Sequence, residues 1–272
     1  MKHLKSSSGD LHRLFRQVLT VRELAEPLAS FDRETPVERA LKLMQDKDFD
    51  LVGVRDEASV AGYVLRQDLV GGVVGDYLNA IDPSEILHEN APLSEVLEEM
   101  ASGSRWVFVS FLGTPSGIVT LGDLQKAPMR MWLFGLISLF EMQLLKRIKQ
   151  RYPDHGWESA ISPERFAAAQ DIHVKRVKKR SSTYLVDCLQ LGDKGTIFKK
   201  EKSLLEILRN RDPDARKPIS GRQFEKFMGR IEILRNDLAH SSEIGAGDWS
   251  SIADDVAILQ GFLKDLESSD GG

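Results

Sequence analysis

Arg235-Asn236-Asp237-Leu238-Ala239-His240 places a permanent cation, a carboxamide and a titratable imidazole within six residues. Arginine stays charged and forks onto phosphate oxygens, so Arg235 suits the extra negative charge of a pentavalent phosphorus. Histidine exchanges a proton near neutral pH, which fits His240 for general acid–base work. Asn236 lies four residues before His240 and shares its helical face, where the amide can fix the imidazole or hold a phosphate oxygen. Arg235 lies five before and diverges by about 140° on a regular helix, so a loosened helix is expected here. A histidine near a helix C-terminus also stabilises through the dipole, and that reading stands beside the chemical one.

A second constellation is Gly117-Ile118-Val119-Thr120-Leu121-Gly122-Asp123. A strand that ends at a helix N-terminus presents free N–H groups and a positive dipole end, which together favour phosphate. Thr120 and Asp123 are also spaced as a capping box, worth about 0.5–2 kcal/mol of helix stability whether or not a ligand binds. Gly62-Tyr63-Val64 and Asp68 repeat the pattern, with Leu65 where the hydroxyl would stand. No cluster of acids, histidines or cysteines has the spacing of metal ligands, and no Gly-rich phosphate loop or Gly-x-Ser-x-Gly elbow is present. The single cysteine, Cys188, lies among Tyr184, Leu185, Val186 and Leu189 and reads as a small buried thiol.

The elements that must position the second constellation form an internal repeat over residues 19–128, after a polar lead-in segment at 1–18. The first unit runs from Thr35-Pro36-Val37 into the helical pattern Ala40, Leu41, Leu43, Met44. It continues through strands at Leu51–Val54 and Val60–Val64 to a helix from Arg66. The second runs from Ala91-Pro92-Leu93 through a helix at Val96, Leu97 and Met100, then strands at Trp106–Val109 and Gly117–Val119, to a helix from Leu121. Pro36 and Pro92, Met44 and Met100, Gly62 and Gly117, and Asp68 and Asp123 keep one offset of 55 or 56 residues. One unit alone has too little core, and two paired through their strands make a disc with a cleft between them.

This pattern resembles a tandem pair of CBS domains, the Bateman module, and the second unit carries the family's Gly-apolar-apolar-Thr/Ser-x-x-Asp marker complete. The resemblance implies an adenine nucleotide (AMP, ADP or ATP) as regulatory ligand in the cleft, with Asp123 on ribose hydroxyls and Thr120 at phosphate. Asp68 would serve a second position, where Leu65 departs from the marker.

Beyond Pro128 the chain has the punctuation of an all-α bundle over residues 129–268. Met129–Ile148 is apolar nearly all round at first and amphipathic later, so one end should be buried on several sides. Its one carboxylate, Glu141, lies either on a wet face or against a cation, for which Arg235 is the candidate. Ser162-Pro163 starts a helix. A short one spans Thr183–Leu191 and ends at Gly192, and another spans Ser203–Arg209. Long helices open at Ser220 or Gly221 and at Trp249. Val174–Arg180 puts five cations in seven residues, with Lys199, Lys200 and Lys202 beyond. Such runs are usually solvated helix ends, and in an RNA-binding domain they are places for phosphate contacts.

A helical bundle carrying Arg235, Asn236 and His240 at the end of a long helix resembles the HEPN family, with Glu141 where members often have an acid. The resemblance implies a metal-independent ribonuclease in which Arg and His of two subunits meet across a dimer interface and RNA is cut through its own 2′-OH. Some members lack nuclease activity. The alternative is therefore a nucleotide-binding regulator whose helical domain only dimerises or docks a partner.

Composition agrees with two packed cores: 272 residues, 42% hydrophobic and 29% charged. Residues 1–128 carry 13 basic and 20 acidic side chains, and residues 129–272 carry 24 and 21. The sign change near Pro128 points to two parts with different partners, the second tolerant of a polyanion. The longest apolar run falls short of the roughly 20 residues a bilayer requires, and the N-terminus has no apolar signal core. The expectation is an α+β tandem module followed by an all-α bundle in a cytoplasmic homodimer, with no membrane span.

Overall fold

The computed structural model describes residues 18–57, 59–179, 183–208, 218–240, 243–244 and 248–269. The lead-in segment up to residue 17, Arg180 and Arg209 lie outside them. Among the described residues one compact unit ends at Met129 and a second begins at Arg130.

The first unit is built twice. Helices α1 (Val37–Lys47) and α2 (Leu93–Ala101) follow Pro36 and Pro92, which hold extended N-cap positions because their rings fix φ near −60°. Each helix leads into an antiparallel hairpin, β3 (Leu51–Asp56) with β4 (Ser59–Leu65), and β7 (Trp106–Phe111) with β8 (Thr114–Thr120). Both hairpins slip register at the same repeat position, between Val54 and Arg55 and between Val109 and Ser110. Val37, Ala40 and Met44 of α1 bury against Val52, Val54 and Val64, so the apolar face of the helix and one face of the hairpin make one core.

Four short strands complete the sheets and were not expected from the sequence: β1 (Glu26–Pro27), β2 (Ser30–Asp32), β5 (Asn79–Ala80) and β6 (Ile86–His88). Two or three residues are too few for a period-2 pattern to show. Their pairing is crossed, because β2 adds parallel to β3 whereas β1 adds antiparallel to β8 of the other repeat. The sheets therefore read β2-β3-β4-β5 and β1-β8-β7-β6. Gly62 makes the β4–β5 approach possible, since a Cβ there would stand 2.2 Å from the carbonyl oxygen of Asn79.

The helices expected from Arg66 and Leu121 are only 3-10 turns, Arg66–Asp68 and Leu121–Gln125. Leu69 returns to extended backbone ahead of Gly71-Gly72, where Gly72 has φ +80°. Lys126 is extended as well, and α3 (Ala127–Arg151) starts beyond it with Pro128 in its first turn, where a missing N–H costs nothing.

In the second unit all described regular elements are helices: the body of α3, α4 (Pro163–Lys178), α5 (Leu191–Lys200), α6 (Lys202–Leu205), α7 (Gly221–Ala239) and α8 (Trp249–Ser268). Side-chain caps set three starts. Ser162 accepts from Arg165 N–H, Ser220 exchanges bonds with Gln223, and Asp248 accepts from Ser251 N–H. Gly192 does not end a helix as expected. It lies in the first turn of α5, where a Cβ would stand 2.2 Å from Glu232 Oε1, so the glycine serves close packing of α5 on α7. Phe140, Phe224, Phe227 and Phe262 form the centre of the bundle, with Phe227 and Phe262 edge to face at 5.2 Å. The start of α3 is less covered than its apolar sequence implied, for Met131 is 61% and Phe134 44% exposed. No helix among the described residues is long and apolar enough to cross a membrane.

Candidate functional site

A cavity of about 720 Å3 opens in the first unit, between the strand ends of the two repeats. Glu26–Ala29 form one wall, Asp48–Leu51 another, and Trp106, Ile118 and Thr120–Asp123 the third. The crossed pairing builds it, because β1 runs along β8 with Glu26 opposite Ile118 while β2 runs along β3. Phe49, Trp106, Leu28 and Ile118 offer apolar surface suited to a flat heterocycle, and Lys47 and Arg105 put cations at the rim.

Asp123 is the polar centre. Its Oδ2 accepts from the backbone N–H of Thr120 at 2.7 Å and from the Thr120 hydroxyl at 2.8 Å. Lys126 Nζ stands 2.8 Å from Oδ1 and also donates to Glu26 and to the carbonyl oxygen of Leu24 at 3.0 Å. Burial alone would lower the Lys126 pKa, but hydrogen bonds to Asp123 and Glu26 outweigh it and hold the ammonium above the usual lysine range. The turn beyond Thr120 is thus pinned by a carboxylate rather than by a long helix. The phosphate attraction expected from a helix N-terminus at Leu121 loses its basis in a five-residue 3-10 turn. What the geometry supplies is a fixed carboxylate with acceptor capacity left on Oδ1, suited to a hydroxyl donor such as a ribose.

Sequence reasoning brought Thr120 and Asp123 to this cavity and missed Glu26–Ala29, Phe49, Arg105 and Trp106. The repeat offset held part of the signal, since Trp106 occupies the position of Leu51 in the other unit. Asp68 does not line this cavity. It is exposed on its 3-10 turn, and Leu65 stands where Thr120 does. Arg66, between them, forks instead onto Asp50 Oδ1 at 2.9 Å and Asp48 Oδ1 at 3.1 Å.

In the helical unit, α7 stays regular to its end. Ala239 is its last residue, and the N–H of His240 reaches the carbonyl oxygen of Asn236 at 3.0 Å. The helix therefore does not loosen, and Arg235 and His240 leave the same chain on divergent sides. Both are exposed, as is Asn236, whose Oδ1 accepts from Arg235 Nη1 at 3.1 Å. Arg130 Nη2 donates to the carbonyl oxygens of Asp237 at 2.9 Å and Leu238 at 3.3 Å, satisfying acceptors that the last turn leaves open. Glu141 pairs with Lys194, not Arg235: Nζ to Oε1 is 2.6 Å, with the lysine 5% and the carboxylate 29% exposed. The burial of Lys194 demands an anion, and the first turn of α5 delivers it to α3. Cys188 is buried, and burial pushes its thiol pKa up. Among the described residues no group of three or more His, Cys, Asp or Glu side chains could hold a metal ion.

The CBS domain family matches the chain twice, at residues 21–75 and 74–130. The comparison with curated proteins found no match. Among solved structures, an uncharacterized conserved protein from Pyrococcus horikoshii is 24% identical over 39% of this chain and 88% of that one, with a TM-score of 0.35. CBSX2 in complex with AMP is 22% identical over 41% of this chain and 97% of its own, with a TM-score of 0.36. The CBS domain of the bacterial CNNM/CorC family Mg2+ transporter in complex with ATP is 22% identical over 41% and 88%, with a TM-score of 0.34. Residues 21–130, with their doubled helix and hairpin and their two family matches, are a tandem pair of CBS domains.

Proposed function

We propose that the CBS pair is an adenine-nucleotide sensor and that it governs the helical domain, a HEPN-type ribonuclease acting as a cytoplasmic homodimer. The observation that carries the sensor is the cavity of about 720 Å3 with Asp123 fixed at its wall and Trp106 and Phe49 beside it. Its size is that of a small-molecule site, about 300–1,000 Å3. Adenine nucleotide is the ligand class that the CBS resemblance implies. Asp123 receives ribose hydroxyls, the aromatic and aliphatic walls hold the base, and Lys47 and Arg105 lie at the rim for phosphate.

For the output, the supporting observation is the exposure of Arg235, Asn236 and His240 together at the end of α7. Their divergence within one chain fits a site completed by a second copy. There Arg235 would steady the pentavalent phosphorus and His240 would take the 2′-OH proton, the phosphate being attacked by that oxygen and the 5′-oxygen leaving. The second reading is a non-catalytic regulator, and the Glu141–Lys194 pair favours it, because that carboxylate is already engaged in packing.

One experiment separates them. The purified chain is incubated with single-stranded RNA, with and without AMP, ADP and ATP, beside Arg235→Ala and His240→Ala. Cleavage that responds to nucleotide and is lost in both variants is the expected result. Cleavage that survives both substitutions, or none under any condition, leaves only the regulator.

A further inference from the structure

We infer that Tyr63 plugs the first of the two repeat-related ligand positions, so that each chain takes one nucleotide. The inference rests on the sensor reading above. In the repeat register Tyr63 is the counterpart of Ile118. Each follows the strand glycine, Gly62 or Gly117, and each faces a short crossing strand, with Asn79 opposite Tyr63 and Glu26 opposite Ile118. Ile118 lines the cavity of about 720 Å3, which reaches the marker turn Thr120–Asp123, whereas the space of about 190 Å3 that Tyr63 lines does not reach the corresponding residues 65–68. The larger falls within the range of small-molecule sites and the smaller below it.

The lost space is filled by aromatic rings. Tyr63 packs edge to face on Trp106, with centroids 6.0 Å apart, and tilted on Phe108 at 5.3 Å. Both partners belong to β7 of the other repeat, so the plug is held from across the pair. Glu85, Glu99, Ser104 and Arg105 line the space beside Tyr63, and Leu65, at the marker position of Thr120, offers no hydroxyl. Burial, and after it the negative charges of Glu85 and Asp68, raise the Tyr63 pKa. Trp106 lines both spaces, so its indole meets the plug on one side and the open cavity on the other.

The test is calorimetric titration of the full chain with AMP, repeated with ATP, on wild type, on the double variant Tyr63→Ile/Leu65→Thr and on Ile118→Tyr, with circular dichroism to establish folding. The wild type is expected to bind one equivalent, the double variant two, and Ile118→Tyr none. Two equivalents in the wild type overturn the plug and leave the sensor reading intact, as does one equivalent in a folded double variant. Absence of binding by AMP and ATP alike removes the sensor reading and the plug with it.

Discussion

Replacing Asp123 by Ala tests the site at its most connected atom. The carboxylate accepts from the Thr120 N–H and hydroxyl and faces Lys126, with its side chain only 12% exposed. A hydrogen bond to a charged group contributes about 1.5–3 kcal/mol, and an N-cap about 1 kcal/mol. Lys126 keeps Glu26 and the Leu24 carbonyl as partners and is one-third exposed, so its share is discounted. The sum is a loss of about 2–3 kcal/mol. For a unit of this size that lowers its melting transition by roughly 8–12 °C. Asp123→Asn keeps an acceptor for Thr120 and loses the ion pair, so about half that loss is expected. Ligand gives an independent axis, because AMP at 100 times its dissociation constant stabilises by about 2.7 kcal/mol. Differential scanning calorimetry with and without AMP reads both effects. A variant melting within about 2 °C of wild type refutes the described bonding of Asp123. A variant that melts lower but retains the full AMP shift refutes its contact with ligand.

Arg235→Ala and His240→Ala remove exposed side chains, so chemical denaturation should place both within about 0.5 kcal/mol of wild type; a larger loss would mark a structural role and weaken their catalytic assignment. Lys126 has a folded pKa above its ordinary 10.5, so the stability it contributes is complete below that value and lost as pH rises through the folded pKa. Melting temperature followed upward from pH 9 should therefore fall less steeply in Lys126→Met, and parallel curves would contradict the linkage. Gly62→Ala drives a Cβ onto the Asn79 carbonyl oxygen and should cost about 1–3 kcal/mol, whereas Gly229→Ala, in α7 with open space around it, should gain about 0.5–1 kcal/mol. Urea unfolding distinguishes the two signs.

The doubled helix and hairpin were legible because the repeat writes each landmark twice, and a fixed offset is independent of secondary-structure propensity. The edge strands were not, since β1 and β5 have two residues each and owe their existence to partners far along the chain. The omission of β1 hid one of the three cavity walls. Thr120 and Asp123 could be found because the marker runs from the end of a long strand into the turn that follows it, whereas Phe49 and Trp106 enter the site only through the fold. In the helical domain the starts at Ser162-Pro163 and at Ser220 or Gly221 followed from residue type, whereas the cap at Asp248 came only with the structure. Gly192 misled because its freedom is used for contact with Glu232 rather than for a helix stop. Lys194 as the partner of Glu141 was hidden for a similar reason: its burial depends on which face α5 turns toward α3.

The crossed strand β1 also sets an order of events in synthesis. Glu26 and Pro27 leave the ribosome early, yet their partners Ile118 and Gly117 follow some 90 residues later. At about 5–20 residues per second that is a wait of roughly 5–20 s, during which the first hairpin and α1 can already fold. The wall formed by residues 26–29 closes only when β8 arrives, so the ligand cavity is the last part of the module to exist. A nascent chain therefore lacks this cavity until both repeats are complete, and a chain cut between them never gains it.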